Sequence, residues 1–169
     1  MIQSPKFSSR LVEAVAGNWQ VAPILGWRSG SYFSVATGVD NALNNVGGQR
    51  PNQIAANPYC ATISVNCWLT ASAFAAPATG TFGSSGSDSL LGPGYFQVDL
   101  SLSRRFILYE NHTLEFRADA FNVENRVNLS IPVSALNSAN FGHITSDITA
   151  PGSASGDPRI MQLSLKYLF

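Results

Sequence analysis

The sequence predicts an all-β chain: an antiparallel up-and-down meander of about five long strands, a partial, open transmembrane β-barrel with two long extracellular loops. Three observations predict it. Long stretches alternate apolar and polar residues, which gives each strand one apolar and one polar face. Long connections and short turns follow one another in strict alternation along the chain. The last residue, Phe169, belongs to an apolar face, where a soluble domain would have a frayed tail.

Composition narrows the classes. Only 12% of the 169 residues are charged and the formal net charge is zero, so there is no basic surface for nucleic acid and no acidic tail. No apolar run approaches the ~18 residues of a membrane helix. The longest, 71–78, is broken by Ser72 and Pro77. Insertion through strands needs only alternation. Residues 1–6 lack the basic and apolar segments of a signal peptide. That leaves a cytoplasmic protein or a piece of a longer chain, and the aromatic ending favours the piece.

The elements follow in order. Residues 7–15 read as a weak strand, with Phe7, Ser9, Leu11, Glu13 and Val15 alternating imperfectly with their neighbours, and Ala16, Gly17 and Asn18 as a turn. Residues 19–28 set Trp19, Val21, Pro23, Leu25 and Trp27 on one face; Pro23 cannot donate to a ladder, which marks a local defect or an edge. The stretch 38–94 is rich in Asn, Gly, Ser, Ala and Pro and has no sustained period. It reads as a long exposed loop, flexible over 82–89, and as the place for ligand capture. Residues 95–108 are the clearest strand: Phe96, Val98, Leu100, Leu102, Phe106 and Leu108 face one way, interrupted by Arg104. A tight connection at 109–112 leads to a second arm, 113–120. A hairpin centred on Glu110 places Arg105 opposite Glu115 and Ser103 opposite Arg117. Residues 126–158 again read as a loop. The final strand sets Met161, Leu163, Leu165, Tyr167 and Phe169 against Gln162, Ser164 and Lys166.

With the carboxyl terminus in the periplasm, both short turns fall inside and both long connections outside, as in outer-membrane barrels. Trp19, Phe106 and Phe169 then mark the inner rim, and Trp27, Tyr95 and Phe96 the outer one. A charge on the lipid face costs about 2–4 kcal/mol at the midplane, so alternation turns Asp99, Arg105, Glu115, Arg117, Asp119, Gln162 and Lys166 towards the lumen. These charges read as cross-strand ladders that rigidify the wall or face a plug. Arg104 lies near a strand end, from which it can snorkel to the interface.

Catalytic and metal chemistry have little support. Asp99, Glu115 and Asp119 have basic or hydroxyl neighbours and no pocket, His112 and His143 lack ligand spacing, and Asp147 and Asp157 do not form a calcium loop. No nucleophile elbow, zinc helix or phosphate loop is present. The expectation is a protein that is not an enzyme, with no catalytic residue, cofactor or metal. Six residues separate Cys60 from Cys67, which does not suit zinc; they form a disulfide in an oxidising compartment and are free thiols otherwise.

The run Leu114-Glu-Phe-Arg-Ala-Asp-Ala-Phe-Asn-Val-Glu-Asn-Arg126 resembles the strand before the last loop of TonB-dependent outer-membrane receptors, and within them the Oar-like branch. Further likenesses are Gly17-Asn18-Trp19-Gln20-Val21, Arg50-Pro51-Asn52, Gly92-Pro93-Gly94 with Asp99 and Arg105-Phe106, Phe141-Gly142-His143-Ile144-Thr145, and Pro158-Arg159-Ile160-Met161-Gln162. They cover most of the chain in the family's order. The ending through Tyr167 and Phe169 is similar to the signal that barrel-assembly machinery reads.

The resemblance implies that residues 1–169 are the carboxyl-terminal part of a 22-stranded barrel, with the plug domain and earlier strands absent. It implies a parent that binds and imports a solute across the outer membrane of a Gram-negative bacterium. The implied partners are outer-membrane lipid, the remainder of the barrel and plug, the TonB complex through the parent, and barrel-assembly machinery, with no nucleic acid. The alternative is a soluble secreted β-sandwich acting as a binding or adhesion module. That sandwich would bury Val98, Leu100, Leu102, Phe116, Leu163 and Leu165 between two sheets. A barrel piece would leave them on one face of a single sheet, with two open edges and a tendency to aggregate without detergent.

Overall fold

A computed structural model describes residues 2–5, 7–109, 112–148 and 158–169. Its elements, in chain order, are β1 (Ile2–Gln3), α1 (Arg10–Ala16), β2 (Trp19–Arg28), β3 (Tyr32–Phe33), β4 (Asn52–Gln53), β5 (Tyr59–Ser64), β6 (Cys67–Leu69), β7 (Phe74–Ala75), β8 (Leu90–Leu91), β9 (Tyr95–Tyr109), β10 (His112–Phe121) and β11 (Ile160–Leu168). The chain divides into two units: 1–27, 96–127 and 157–169 form the first, and 28–95 with 128–156 form the second.

The first unit is built on one antiparallel sheet of five strands, in the order β1-β2-β9-β10-β11. The long strands form where alternation is cleanest, since a period of two suits a pleated ribbon with unlike faces. The β9–β10 hairpin pairs Arg105 with Glu115 and Ser103 with Arg117, in the register set by a centre at Glu110. The tip itself, Glu110 and Asn111, lies outside the described residues. A register shift between His112 and Thr113 adds a bulge next to the tip. On the other side of β10, Glu115 faces Lys166 and Phe116 faces Leu165.

The sheet is a single layer. Val98, Leu100, Leu102 and Phe116 are half-buried, while Leu163 and Leu165 are exposed, and within this unit no second sheet covers them among the described residues. The burial expected of a sandwich is therefore missing. Among the described residues β11 pairs only with β10, so the sheet is open there.

Residues 7–15 do not form the strand that their alternation suggested. Residues 10–16 are helix α1, and the fifth strand of the sheet is the two-residue β1 instead. Leu11 and Val15 fit both patterns, since a spacing of four is even and also one helical turn. Glu13 decides for the helix: its backbone N–H bonds the Ser9 carbonyl at 2.9 Å, its carbonyl accepts from Gly17 at 3.0 Å, and its carboxylate accepts the Phe7 N–H at 2.7 Å. A Cβ on Gly17 would sit 2.6 Å from the Glu13 carbonyl oxygen, so glycine is needed where the helix stops.

The second unit is made from the stretches that read as loops, and it has its own core. Phe33, Val35, Leu69, Ala73, Phe74, Leu90 and Phe141 are buried together, with Ala55, Tyr59, Trp68 and Leu136 packed around them. Three two-stranded ribbons, β3 with β8, β4 with β7, and β5 with β6, carry Phe33, Leu69, Phe74 and Leu90, while Val35, Ala73 and Phe141 come from outside the strands. The 82–89 run, expected to be flexible, is tied down. Ser84 N–H bonds Asn52 Oδ1 at 2.9 Å, Ser85 N–H bonds the Pro51 carbonyl at 3.0 Å, and Asp88 N–H bonds Ser34 Oγ at 2.7 Å.

Candidate functional site

Two surfaces can carry function, one in each unit. In the first unit it is the polar face of the sheet. Because β9, β10 and β11 keep register, their polar residues line up in rows. One row is Arg105, Glu115 and Lys166; the next is Ser103, Arg117 and Ser164; the third is Ser101, Asp119 and Gln162. Arg105 Nε meets the Glu115 carboxylate at 2.9 Å across the strands. Arg117 Nε meets the Asp119 carboxylate at 2.9 Å along one strand, where a cross-strand pair was expected. The arginine side chains are 69% and 52% exposed, so each pair contributes less than about 1 kcal/mol to stability. Their effect is to fix register, because a slip by one residue would turn these charges onto the apolar face.

Asp99 has a different task. Its Oδ1 accepts the backbone N–H of Asn122 at 2.9 Å and the Gln97 amide at 2.9 Å. Asn122, 1% exposed, uses its side chain to close the next turn: Nδ2 donates to the Arg126 carbonyl and Oδ1 accepts the Arg126 N–H, both at 3.0 Å. Asn122 and Asn125 both take positive φ, 48° and 52°, which asparagine tolerates better than most residues. Asn125 Oδ1 then receives the Arg159 N–H at 3.1 Å, tying the entry to β11 to the exit from β10. The Arg126 guanidinium lies 5.7 Å from the Phe96 ring centroid. Sequence reasoning singled out this run for its likeness and missed its structural task. The signal available was two asparagines at the close of an alternating strand.

At the opposite end of the sheet, Arg104 does not reach out to solvent. It is 7% exposed, with its guanidinium 4.6 Å from the Phe106 ring centroid and 5.4 Å from that of Trp19. Nη1 donates to the Val15 carbonyl at 2.6 Å, and Trp19 Nε1 donates to the same oxygen at 2.9 Å. The carbonyls at the end of α1 have no partner within the helix, and a cation suits the negative end of its dipole. Tyr167 and Phe169 belong to the same rim. Tyr167 Oη lies 2.6 Å from His112 Nδ1, and its ring is 6.0 Å from that of Phe169.

The second unit presents the loop surface. Its two sequence segments are laced together by main-chain bonds. Trp68 N–H bonds the Gly142 carbonyl at 2.8 Å, Ile144 N–H bonds the Val65 carbonyl at 2.7 Å, and Leu136 N–H bonds the Ala36 carbonyl at 2.8 Å. Gly142 has φ +77°, and a Cβ there would lie 2.2 Å from the Leu69 carbonyl oxygen. Cys60 and Cys67 are joined by a disulfide across the β5–β6 ribbon, with Cα atoms 5.9 Å apart. Asp40 organises 40–49: its carboxylate accepts the N–H groups of Asn44 and Asn45 and the side-chain amide of Gln49. The Asn45 N–H is the main reason why its pKa falls below the usual carboxylate range. Outward from this scaffold stand exposed apolar side chains, among them Tyr32, Leu43, Ile54 and Phe82. Among the described residues no cluster of His, Cys, Asp or Glu could hold a metal ion.

An open antiparallel sheet with a bare apolar face, and long connections folded into a unit of their own, is the architecture of a membrane barrel wall. Residues 2–162 match the model of the outer membrane beta barrel domain family. The chain belongs to that family. The outer membrane beta barrel domain places the protein in the outer membrane of Gram-negative bacteria. No curated protein and no solved structure matches the chain.

Proposed function

We propose that this outer membrane beta barrel domain is the carboxyl-terminal part of a TonB-dependent receptor of the Oar-like branch, and that the whole receptor binds a solute outside the cell and imports it. The observation that carries the proposal is the knot of Asp99, Asn122, Asn125, Arg126 and Arg159. The segments on which the resemblance rests are brought into contact here, as expected if their spacing reflects one shared barrel wall. On this reading the polar rows around Arg105, Glu115, Arg117, Asp119 and Lys166 face the lumen and a plug, and the apolar face meets lipid.

The chain works by binding and transport, without catalysis. Ligand capture falls to the exposed apolar residues of the loop unit, since rigidly held loops present recognition groups at low ordering cost. Tyr167 and Phe169 close the strand that barrel-assembly machinery would engage.

The test is the polypeptide that carries this sequence in its own cell. Mass spectrometry of outer-membrane fractions is expected to find peptides from 95–126 on a polypeptide that also bears an amino-terminal plug and cross-links to TonB. The same peptides on a short soluble secreted protein would overturn the proposal.

A further inference from the structure

Helix α1 turns apolar side chains outward. Leu11 and Val15 are one helical turn apart, and they are 81% and 73% exposed. Beside them Val12 is also exposed, while Glu13 is drawn inward to the Phe7 N–H. A short helix that offered this surface to water would gain little from folding, since helices of this length depend on burying an apolar face.

The placement of α1 names what covers it. Val15 is bonded by Arg104 and by Trp19, both from the apolar face of the sheet. Trp19 packs edge-on to Phe116 at 6.3 Å, and Phe116 pairs with Leu165 of β11. The exposed side of α1 is thus continuous with the face that bears Leu163 and Leu165. The aromatic residues Trp19, Phe106 and Tyr167 gather at the same end of the sheet. Such rings settle at the headgroup level of a bilayer.

We infer that α1 is an interfacial helix: Leu11, Val12 and Val15 lie in the headgroup–acyl boundary of the membrane and extend the lipid contact of the sheet beyond its last strand residues. An amphipathic helix lying in the interface buries its apolar side a few ångströms below the headgroups, about 5–10 Å in. Arg104 makes this arrangement tolerable. The charge that would otherwise meet lipid is covered by α1 and held against two rings and the helix carbonyls. The inference rests on the assignment of the apolar sheet face to lipid.

Spin labels test it, because both native cysteines are committed to the disulfide and a single added cysteine can be labelled alone. Leu11→Cys, Val15→Cys, Leu165→Cys and Leu43→Cys are each made in the full chain and labelled. The chain is reconstituted in vesicles of phosphatidylethanolamine and phosphatidylglycerol, and collisions with oxygen and with a water-soluble nickel chelate are compared. Labels at 11 and 15 are expected to follow the label at 165, with oxygen favoured over nickel, and to be the inverse of the label at 43. Nickel-dominated collisions at 11 and 15, with 165 still oxygen-dominated, overturn the interfacial helix and leave the barrel assignment standing. Low accessibility to both reagents at 11 and 15 means a protein partner and also overturns it. Nickel-dominated collisions at all three positions overturn both.

Discussion

Asn122 donates its backbone N–H to Asp99 Oδ1 at 2.9 Å, from the end of β10 to a side chain of β9. The same asparagine closes its own turn through both atoms of its amide. Asn122→Ala removes two buried hydrogen bonds at a residue with positive φ, and is expected to cost about 2–3 kcal/mol. Asn122→Gly keeps the backbone freedom and is expected to cost less than the alanine. Urea midpoints in detergent micelles measure both; equal midpoints for the two variants would show that φ contributes nothing.

The Arg105–Glu115–Lys166 row alternates in sign across three strands. Glu115→Lys puts three cations side by side and is expected to destabilise the sheet by about 1 kcal/mol, with Arg105→Glu in the same chain restoring most of it. A double-mutant cycle reads the coupling. No recovery in the double variant would mean that the pair does not set register.

The two faces of β11 predict opposite responses to the same residue. Leu163→Arg is expected to cost about 2–4 kcal/mol in a bilayer, the range for a cation on the lipid face, while Ser164→Arg on the polar face is expected to cost much less. Unfolding titrations in lipid vesicles compare them, and equal losses would contradict the assignment of faces.

Removal of the disulfide acts on the loop unit. Cys60→Ser frees a closed ring of 60–67, and loop-closure entropy puts the loss at about 2–3 kcal/mol. The expected readout is faster protease cleavage within 58–70, with unchanged cleavage in the sheet. Unchanged cleavage near the ribbon would show that the β5–β6 pairing stands without its bridge.

Acid should loosen 40–49 before it affects the apolar core. The folded Asp40 carboxylate has a lowered pKa, so the unfolded loop binds its proton more readily. The contribution is therefore full above the usual carboxylate value near pH 4 and is lost as pH falls through the lower, folded value. Amide protection factors at Asn44 and Asn45, the exchange rates corrected for the intrinsic rate at each pH, are expected to fall over that window and to be flat in Asp40→Asn. A window above pH 5 would rule out this carboxylate as the cause.

The strands of the first unit were legible because β9, β10 and β11 carry one apolar and one polar face, and a tight turn fixes the pairing of Arg105 with Glu115. Helix α1 was obscured because Leu11 and Val15 satisfy two periods at once; the flanking Ser9 and Gly17 were the available start and stop signals. The loop unit was illegible for a different reason. Phe33, Val35, Leu69, Phe74, Leu90 and Phe141 are scattered through the sequence, and strands of two or three residues, with only β5 reaching six among the described residues of this unit, leave no sustained period to detect. Loop length marked 38–94 as exposed, but Tyr32, Leu43, Ile54 and Phe82 stand out as outward apolar side chains of this unit only once the core beneath them is known.

The close approach of Gly142 to Leu69 makes two distant stretches of sequence one inheritable object. Phe141 fills a core whose other members come from 33–90, so neither loop carries a complete interior. Exchanging one loop alone between related barrels would pair two half-cores that were shaped for other partners. On the proposed receptor reading, new binding specificity would then arise by small changes at the exposed tips, or by replacement of both loops together.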